Sequence, residues 1–505
     1  MAKIIAYDLG TGGIKASLFD ENGESLSDAF IPYPTFYPHD KWCEQRPMDW
    51  WRGVCDSTQM LLQKTEANPQ EIAAAALSGH SIVTAPLDAQ GNLLLDQVPI
   101  WCDMRPDTQA DEFFTDLSYD GWYSTTGNGD PPECYSILKM MWMKQNQPDI
   151  YAKTDVVLGS KDFVNYMFTG NKCTDPSYAS GFGVFNLLKW EYEDAFFKAA
   201  GVDRSKFPDI IPSDAQMGVV TPEASRQTGL PAGIPVACGG VDNTCMALGA
   251  LGMGEGRAYT SLGSSSWIAV TSQKPILDTA THPFVFAHAQ KGYYTSAVSI
   301  FSAGNSFRWL RDILMNDTPE EEKYDRMNRM AATVPPGSNG VLFNPTLAGG
   351  SAQEASPNLR GGFMGLTLGT TREDLVRAAM EGIAMSLRCT LDILKMHTNV
   401  ADEMLICGGG SKSPLWRQIF ADIFNLDIIK TNIDQNAAAL GAASLAANSC
   451  GLWKGYDIIK SLHKIEDIKK PNKKSNTKYE ELLGIYQNWS HALANLSGQL
   501  QNTLK

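Results

Sequence analysis

A chain of 505 residues is too long for one ordinary hydrophobic core, so two large domains are the default expectation. Its composition, 43% hydrophobic and 19% charged, is that of a globular protein, and a net charge of −14 argues against a nucleic-acid binder, which needs a basic footprint. No apolar run approaches the roughly 20 residues of a membrane span and the chain opens without a basic, then apolar, leader, so no membrane is expected and the expected compartment is the cytoplasm.

The opening stretch, "KIIAYDLGTGGIKASLFD", reads as a hairpin: an apolar run ending on Asp8, a glycine turn through Thr11 and Gly12, then Lys15 and a second apolar run. Residues 48–66 predict an amphipathic helix, followed by a short strand in "EIAAAALSGHSIVTAPLD" and a second hairpin signal at "DAQGN". Residues 101–190 read as a loop-rich middle. "GIPVACGGVDNTCMALGAL" predicts strand, glycine turn and helix, and "RAYTSLGSSSWIAV" repeats the opening hairpin in the second half of the chain. "TREDLVRAAMEGIAMSLRCTLDIL" is a strong helix with Thr370 or Thr371 as N-cap, and "EMLICGGGSKSPLWRQIFADIF" is a buried strand, a glycine turn and a helix. The lysine-rich stretch from about Lys460 to Lys478 reads as a solvated connection before a last helix. Strands thus alternate with helices, the α/β pattern in which ligands gather at the carboxyl ends of strands. The ten cysteines stand singly, without metal-ligand spacing to the seven histidines, which predicts free thiols rather than a disulfide framework.

No G-x-x-x-x-G-K-[ST] occurs, so the P-loop is excluded. The turns nevertheless hold phosphate-binding ingredients: glycines that let backbone N–H groups approach an anion, the Thr11 hydroxyl, and the Lys15 cation. Asp8, at a strand end, suits a hydrated Mg²⁺, which takes one or two carboxylates plus phosphate oxygens. Two such hairpins, one per domain, could grip a polyphosphate between them. Asp242, after a strand and two glycines, could meet a substrate hydroxyl, although a helix N-cap is an equally ordinary job for an aspartate there.

These motifs resemble those of the FGGY family of carbohydrate kinases, which share an actin-like (ribonuclease H-like), two-domain ATPase fold. "DLGTGGIKASLFD" and "YTSLGSSSWIAV" look like the family's two phosphate motifs, and "ICGGGSKSPLWRQIFADIF" is similar to its adenosine motif. "SILKMMWMKQN" follows the first signature except at Cys134, and "GGFMGLTLGTTREDLVRAAME" matches the second. The resemblance implies an N-terminal domain over 1–250, a nucleotide-binding domain over 251–450 and a helical tail over 451–505, with an ATP and sugar cleft between the domains. It implies Asp242 as the base that takes the proton of the attacking hydroxyl and Asp8 as the Mg²⁺ ligand. Thr11, Gly12 and Lys15 would lie near the transferred phosphoryl group, Gly263 and Ser264 at the β- and γ-phosphates, and Gly304, Arg308, Gly409, Gly410 and Ser413 at the nucleotide.

Sugar contacts are expected from His80, Ser81, Trp101, Asp103, Asp242 and Asn243. Where xylulose kinases carry G-Q-M-H-G, this chain reads "GHSIV", so their sugar-facing histidine falls on Ile82. A ketopentose is the expected acceptor, with a related ketose or a four- or five-carbon polyol next. Two further alternatives are a catalytically silent sugar-binding protein and an actin-like ATPase that drives a protein partner. Dimers are common in such kinases, and the motifs leave a homodimer open.

Overall fold

The computed structural model describes residues 2–129, 131–250, 253–434 and 436–504. The first half of the chain builds a mixed sheet from β1 (Lys3–Gly10), β2 (Gly13–Asp20), β3 (Ser25–Pro32), β4 (Ile72–Gly79), β5 (Gln216–Val219) and β6 (Pro235–Ala237), with the short β7 (Gly240–Val241) also on β4. β1 lies at its centre, antiparallel to β2 and parallel to β4. The second half repeats the plan with β8 (Ala258–Leu262), β9 (Ser266–Ser272), β10 (Phe284–Ala287), β11 (Tyr294–Ile300), β12 (Glu403–Cys407), β13 (Asp427–Thr431) and β14 (Ile465–Lys469). Here β8 is central, antiparallel to β9 and parallel to β12. The two predicted glycine hairpins are therefore equivalent parts of two similar sheets.

Helices cover the sheets because each presents one apolar stripe. α1 (Pro47–Thr65) buries Trp50, Trp51, Val54 and Leu61 in the first core. α2 (Ser136–Asn146) and α3 (Ser160–Thr169) belong to the middle region, which holds several short helices where the sequence reads as loop. Its glycines and prolines cut the hydrophobic periodicity into pieces too short to register as helices. α4 (Asp242–Gly249) and the alanine-rich α8 (Ala437–Ser449) lie in one core with Ala74 and Ala76 of the first sheet and Tyr259 and Leu405 of the second. Small side chains let these helices pack closely against the strands, and they form the layer that joins the halves. In the second half α5 (Gly304–Leu314), α6 (Arg372–His397) and α7 (Pro414–Phe424) contribute to the core, as does the last helix, α9 (Lys473–Leu504). α6 starts at Thr371, which exchanges hydrogen bonds with Asp374 in a full capping box.

Three readings of the sequence are corrected. "DAQGN" closes a tight turn with one bridge, Leu87 to Leu93, and the strand before it, Ala85–Leu87, pairs instead with Val156–Leu158. The lysine-rich stretch is not a plain connection: it holds β14, which pairs with β13 at the edge of the second sheet and carries Glu466, Asp467 and Lys469, while the remaining lysines flank this edge strand. Cys43 and Cys102 form a disulfide, with Cα atoms 5.9 Å apart, while the other eight cysteines are free. A sequence separation of 59 hides the pair from a spacing argument; pairing of Glu44–Gln45 with Val98–Pro99 brings them together.

Candidate active site

Strand register assembles the first half of the site. Asp8 on β1 faces Lys15 on β2 and Ser78 on β4, and Ser78 in turn faces Gly240 on β7. Three strands thus end together, and the chain leaves β7 straight into Asp242, the first residue of α4. Val241 takes the N-cap position, so Asp242 is free of that role; one of its oxygens accepts the Asn243 N–H at 2.7 Å. Ser78 Oγ donates to Asp8 at 2.7 Å. Burial raises both carboxyls, and the Asp8 charge adds to burial in pushing Asp242 up to about 7. A carboxyl raised by burial and by a neighbouring carboxylate is a candidate for proton transfer, and a buried carboxyl beside it gains from a cation.

The turn after β1 is held from several sides. Tyr33 donates to the Gly10 carbonyl at 2.5 Å, Gln45 to the Thr11 carbonyl at 2.7 Å, and the half-exposed Trp101 indole to Thr11 Oγ1 at 3.0 Å. Trp101 therefore joins the expected sugar wall to the expected phosphate turn. Gly12 has open space around it. Lys15, besides facing Asp8, pairs with Asp28 at 3.6 Å and donates to Asn436 at the start of α8, a contact between the two halves of the chain.

The second half of the site is a cavity of about 750 Å³. Gly263, Ser264, Gly304, Arg308, Gly409, Gly410 and Ser413, all singled out in the sequence, line it. The β8–β9 turn is tied to the start of α5, since the N–H of Gly304 donates to the Gly263 carbonyl at 2.9 Å and that of Asn305 to the Ser264 carbonyl at 3.0 Å. A Cβ on Gly304 would stand 2.3 Å from the Gly263 oxygen, so only glycine permits this approach. Ser413 caps α7 through the Trp416 N–H and donates to Asn328. Phe307 and Tyr324 stack in the wall, and the sequence reading missed both, along with Asn328 and Lys412. The size suits a nucleotide, and the aromatic wall with a glycine-lined floor suits a base and its phosphates.

Two expected sugar contacts are buried. His80 is 2% exposed, packed edge-on against Trp50, and burial pushes its imidazole down to about 3, so it is neutral. Asp103 is fully buried; Arg105 and the Cys43 N–H occupy both of its oxygens. These bonds fix the loop that bears Trp101. Ser81 and Asn243 are partly exposed.

Lys139 is a functional candidate the sequence reading passed over. Its Nζ, buried at the base of α2, donates to the Ile82 carbonyl at 3.0 Å and the Ile100 carbonyl at 2.6 Å, joining the loops that carry Ser81 and Trp101. Ile82 is held at φ +61°, a left-handed conformation that is costly for a β-branched residue. Its signal in the sequence was a lysine amid the apolar run "SILKMMWM".

Comparison with known proteins agrees with this geometry. Residues 3–249 match the N-terminal domain model of the FGGY family of carbohydrate kinases, and residues 258–450 match its C-terminal domain model. A xylulose kinase of Bacillus subtilis (strain 168) is 28% identical over 492 residues, covering 97% of this chain and 96% of the relative. A gluconokinase of Bacillus licheniformis is 25% identical over 506 residues, covering 99% of this chain and 98% of the relative. The crystal structure of gluconate kinase from Lactobacillus acidophilus superposes with a TM-score of 0.91 at 24% identity, covering 99% of both chains. With both of its sheets, its two glycine hairpins and nearly all its length matched, the chain belongs to the FGGY family of carbohydrate kinases and is a sugar-kinase phosphotransferase.

Proposed function

We infer that the protein transfers the γ-phosphoryl group of ATP to a hydroxyl of a ketopentose such as xylulose, with Asp242 as general base. The observation that carries the reading is the alignment of Asp8, Ser78 and Gly240 across three strand ends, after which the chain runs straight into Asp242, close enough to Asp8 for the Asp8 charge to raise its carboxyl. The acceptor hydroxyl oxygen bonds to the γ-phosphorus as the bond to the β–γ bridging oxygen breaks, ADP leaves, and the hydroxyl proton passes to Asp242. Trp101, Ser81 and Asn243 orient the acceptor. Thr11, Gly12 and Lys15 approach the phosphates from one sheet, and Gly263 and Ser264 from the other. Gly304, Arg308, Gly409, Gly410 and Ser413 hold the nucleoside end.

The donor set fits Mg²⁺ held by one carboxylate and phosphate oxygens: Asp8 is raised by burial and so gains from a nearby cation, and no cluster of three or more metal-binding side chains occurs among the described residues. Bound there, the ion would neutralise charge on the phosphates.

Xylulose kinases among the relatives support the ketopentose. Ile82 in place of their histidine, with His80 buried, favours a second reading, an aldonate such as gluconate, which the gluconokinase relative also supports. ADP release from Mg·ATP is to be measured with ketopentoses, pentitols, erythritol, glycerol and gluconate against a control without acceptor. Acceleration by xylulose is the expected result; acceleration by gluconate alone replaces the ketopentose, and ADP release indifferent to every acceptor overturns the kinase reading.

A further inference from the structure

Behind the active site lies a buried ionic cluster that the transfer chemistry does not use. Lys161, Asp162 and Asp175 are all fully buried, with Lys161 Nζ 2.5 Å from Asp162 and 3.1 Å from Asp175. One cation between two carboxylates is costly to bury, and the cost is met only where the remaining hydrogen-bonding positions are filled. They are filled here. Thr174 donates to Asp162 at 2.8 Å, and Asp175 accepts from the hydroxyls of Ser177 at 2.6 Å and Ser213 at 2.7 Å.

The cluster has two outlets, and both reach the turn that presents Asp242. Lys161 Nζ donates to the Cys238 carbonyl at 3.2 Å, with Asn165 Nδ2 beside it at 2.7 Å. Ser177 Oγ, its own proton given to Asp175, accepts the Val241 N–H at 3.0 Å. Cys238 and Val241 bracket Gly239 and Gly240, and the next residue is Asp242. Gly239 sits at φ +77°, where a Cβ would lie 2.1 Å from the Leu77 carbonyl oxygen. The two-glycine turn is thus fixed at one end by a charge-assisted hydrogen bond from Lys161 and at the other by the hydroxyl of Ser177, which is itself bonded to the Asp175 carboxylate.

We propose that Ser177, oriented by Asp175 and Lys161, is a positioning residue for the transfer reaction: through the Val241 N–H it fixes the start of α4, and so the aim of the Asp242 carboxylate at the acceptor hydroxyl. Ser177 itself meets neither substrate. The proposal rests on Asp242 being the base. Displacement of a catalytic group by about 1 Å costs on the order of 10²-fold in rate, whereas ground-state binding by other residues is unaffected.

The test is steady-state kinetics of Ser177→Ala and Ser177→Thr with the acceptor identified above. Alanine removes the acceptor for the Val241 N–H; threonine keeps it. The expected result is a kcat for Ser177→Ala lower by about 10- to 100-fold, KM values for ATP and acceptor within about threefold of wild type, and recovery of kcat in Ser177→Thr. Unchanged kcat in a folded Ser177→Ala, or KM values that rise together with the loss of kcat, overturns the proposal and leaves the cluster purely structural. If the alanine variant does not fold, Ser177→Cys, similar in volume but a poor acceptor, is judged by the same criteria. A wild-type protein that phosphorylates nothing overturns the proposed function and the positioning role together, whereas an active wild type with an unaffected variant overturns the positioning role alone.

Discussion

At the scale of the residue, Asp242 carries the sharpest expectations. Asp242→Asn keeps the shape and removes the proton acceptor, so phosphorylation should fall by about 10²- to 10⁴-fold, with ATP affinity, measured by calorimetry, nearly unchanged. A base whose carboxyl sits at about 7 must be ionised to work, so kcat/KM of the wild type should rise with pH and level off above about 7. The same shift has a stability consequence of defined sign. The folded carboxyl holds its proton between roughly pH 4 and 7 while the unfolded one does not, so this group's contribution to stability falls as pH rises across that window and stays low above it. Asparagine carries no such penalty. Asp242→Asn should therefore melt at a higher temperature than wild type at pH 8 and by a smaller margin at pH 5; a lower melting temperature at pH 8 would show that the carboxylate is not under strain.

At the scale of the element, what matters is how loops are held to helices and strands. Lys139 joins two acceptor-side loops from the first turns of α2, where Ser136 also donates to the Val83 carbonyl. Lys139→Met takes the Lys139 hydrogen bond from the buried Ile82 carbonyl, at a cost of about 1–3 kcal/mol, whereas the Ile100 carbonyl keeps the Asp103 N–H at 3.0 Å. It should raise the acceptor KM by about tenfold or more while KM for ATP stays within about threefold. On the nucleotide side the opposite split is expected. Gly304→Ala forces the start of α5 away from the β8–β9 turn and should raise KM for ATP about tenfold or more with little change in acceptor KM. Equal effects on both substrates from either variant would mean that the two half-sites are not separately built.

At the scale of the whole molecule, two similar sheets share α4 and α8 in one core between them. The Lys15–Asn436 contact ties the first glycine hairpin to the layer between them, and Asp434 nearby accepts from the Gly408 N–H at 2.6 Å and from Ser411, reaching the turn after β12. No helix is long and apolar enough to cross a membrane among the described residues.

Much of this was legible in the sequence because it is local. A glycine turn between apolar runs predicts a hairpin whatever surrounds it, and the N-cap of α6 at Thr371 follows from its own four residues. All seven residues assigned to the nucleotide side line one cavity, since each belongs to a short motif whose backbone shape it sets itself. The sequence by itself thus determined the strand–turn order, the duplicated hairpins and the acids at strand ends. Only the tertiary structure decided which polar side chains reach the cleft. His80 and Asp103 follow strand ends just as Asp242 does, yet one is packed on Trp50 and the other accepts from Arg105 and from the N–H of Cys43, which is 60 residues away. The Cys43–Cys102 pair, the pairing of the β14 edge strand and the Lys161–Asp175–Ser177 cluster are likewise products of contacts between distant segments. Burial and partner choice depend on how elements pack, and periodicity along the chain does not encode which element comes to lie against which.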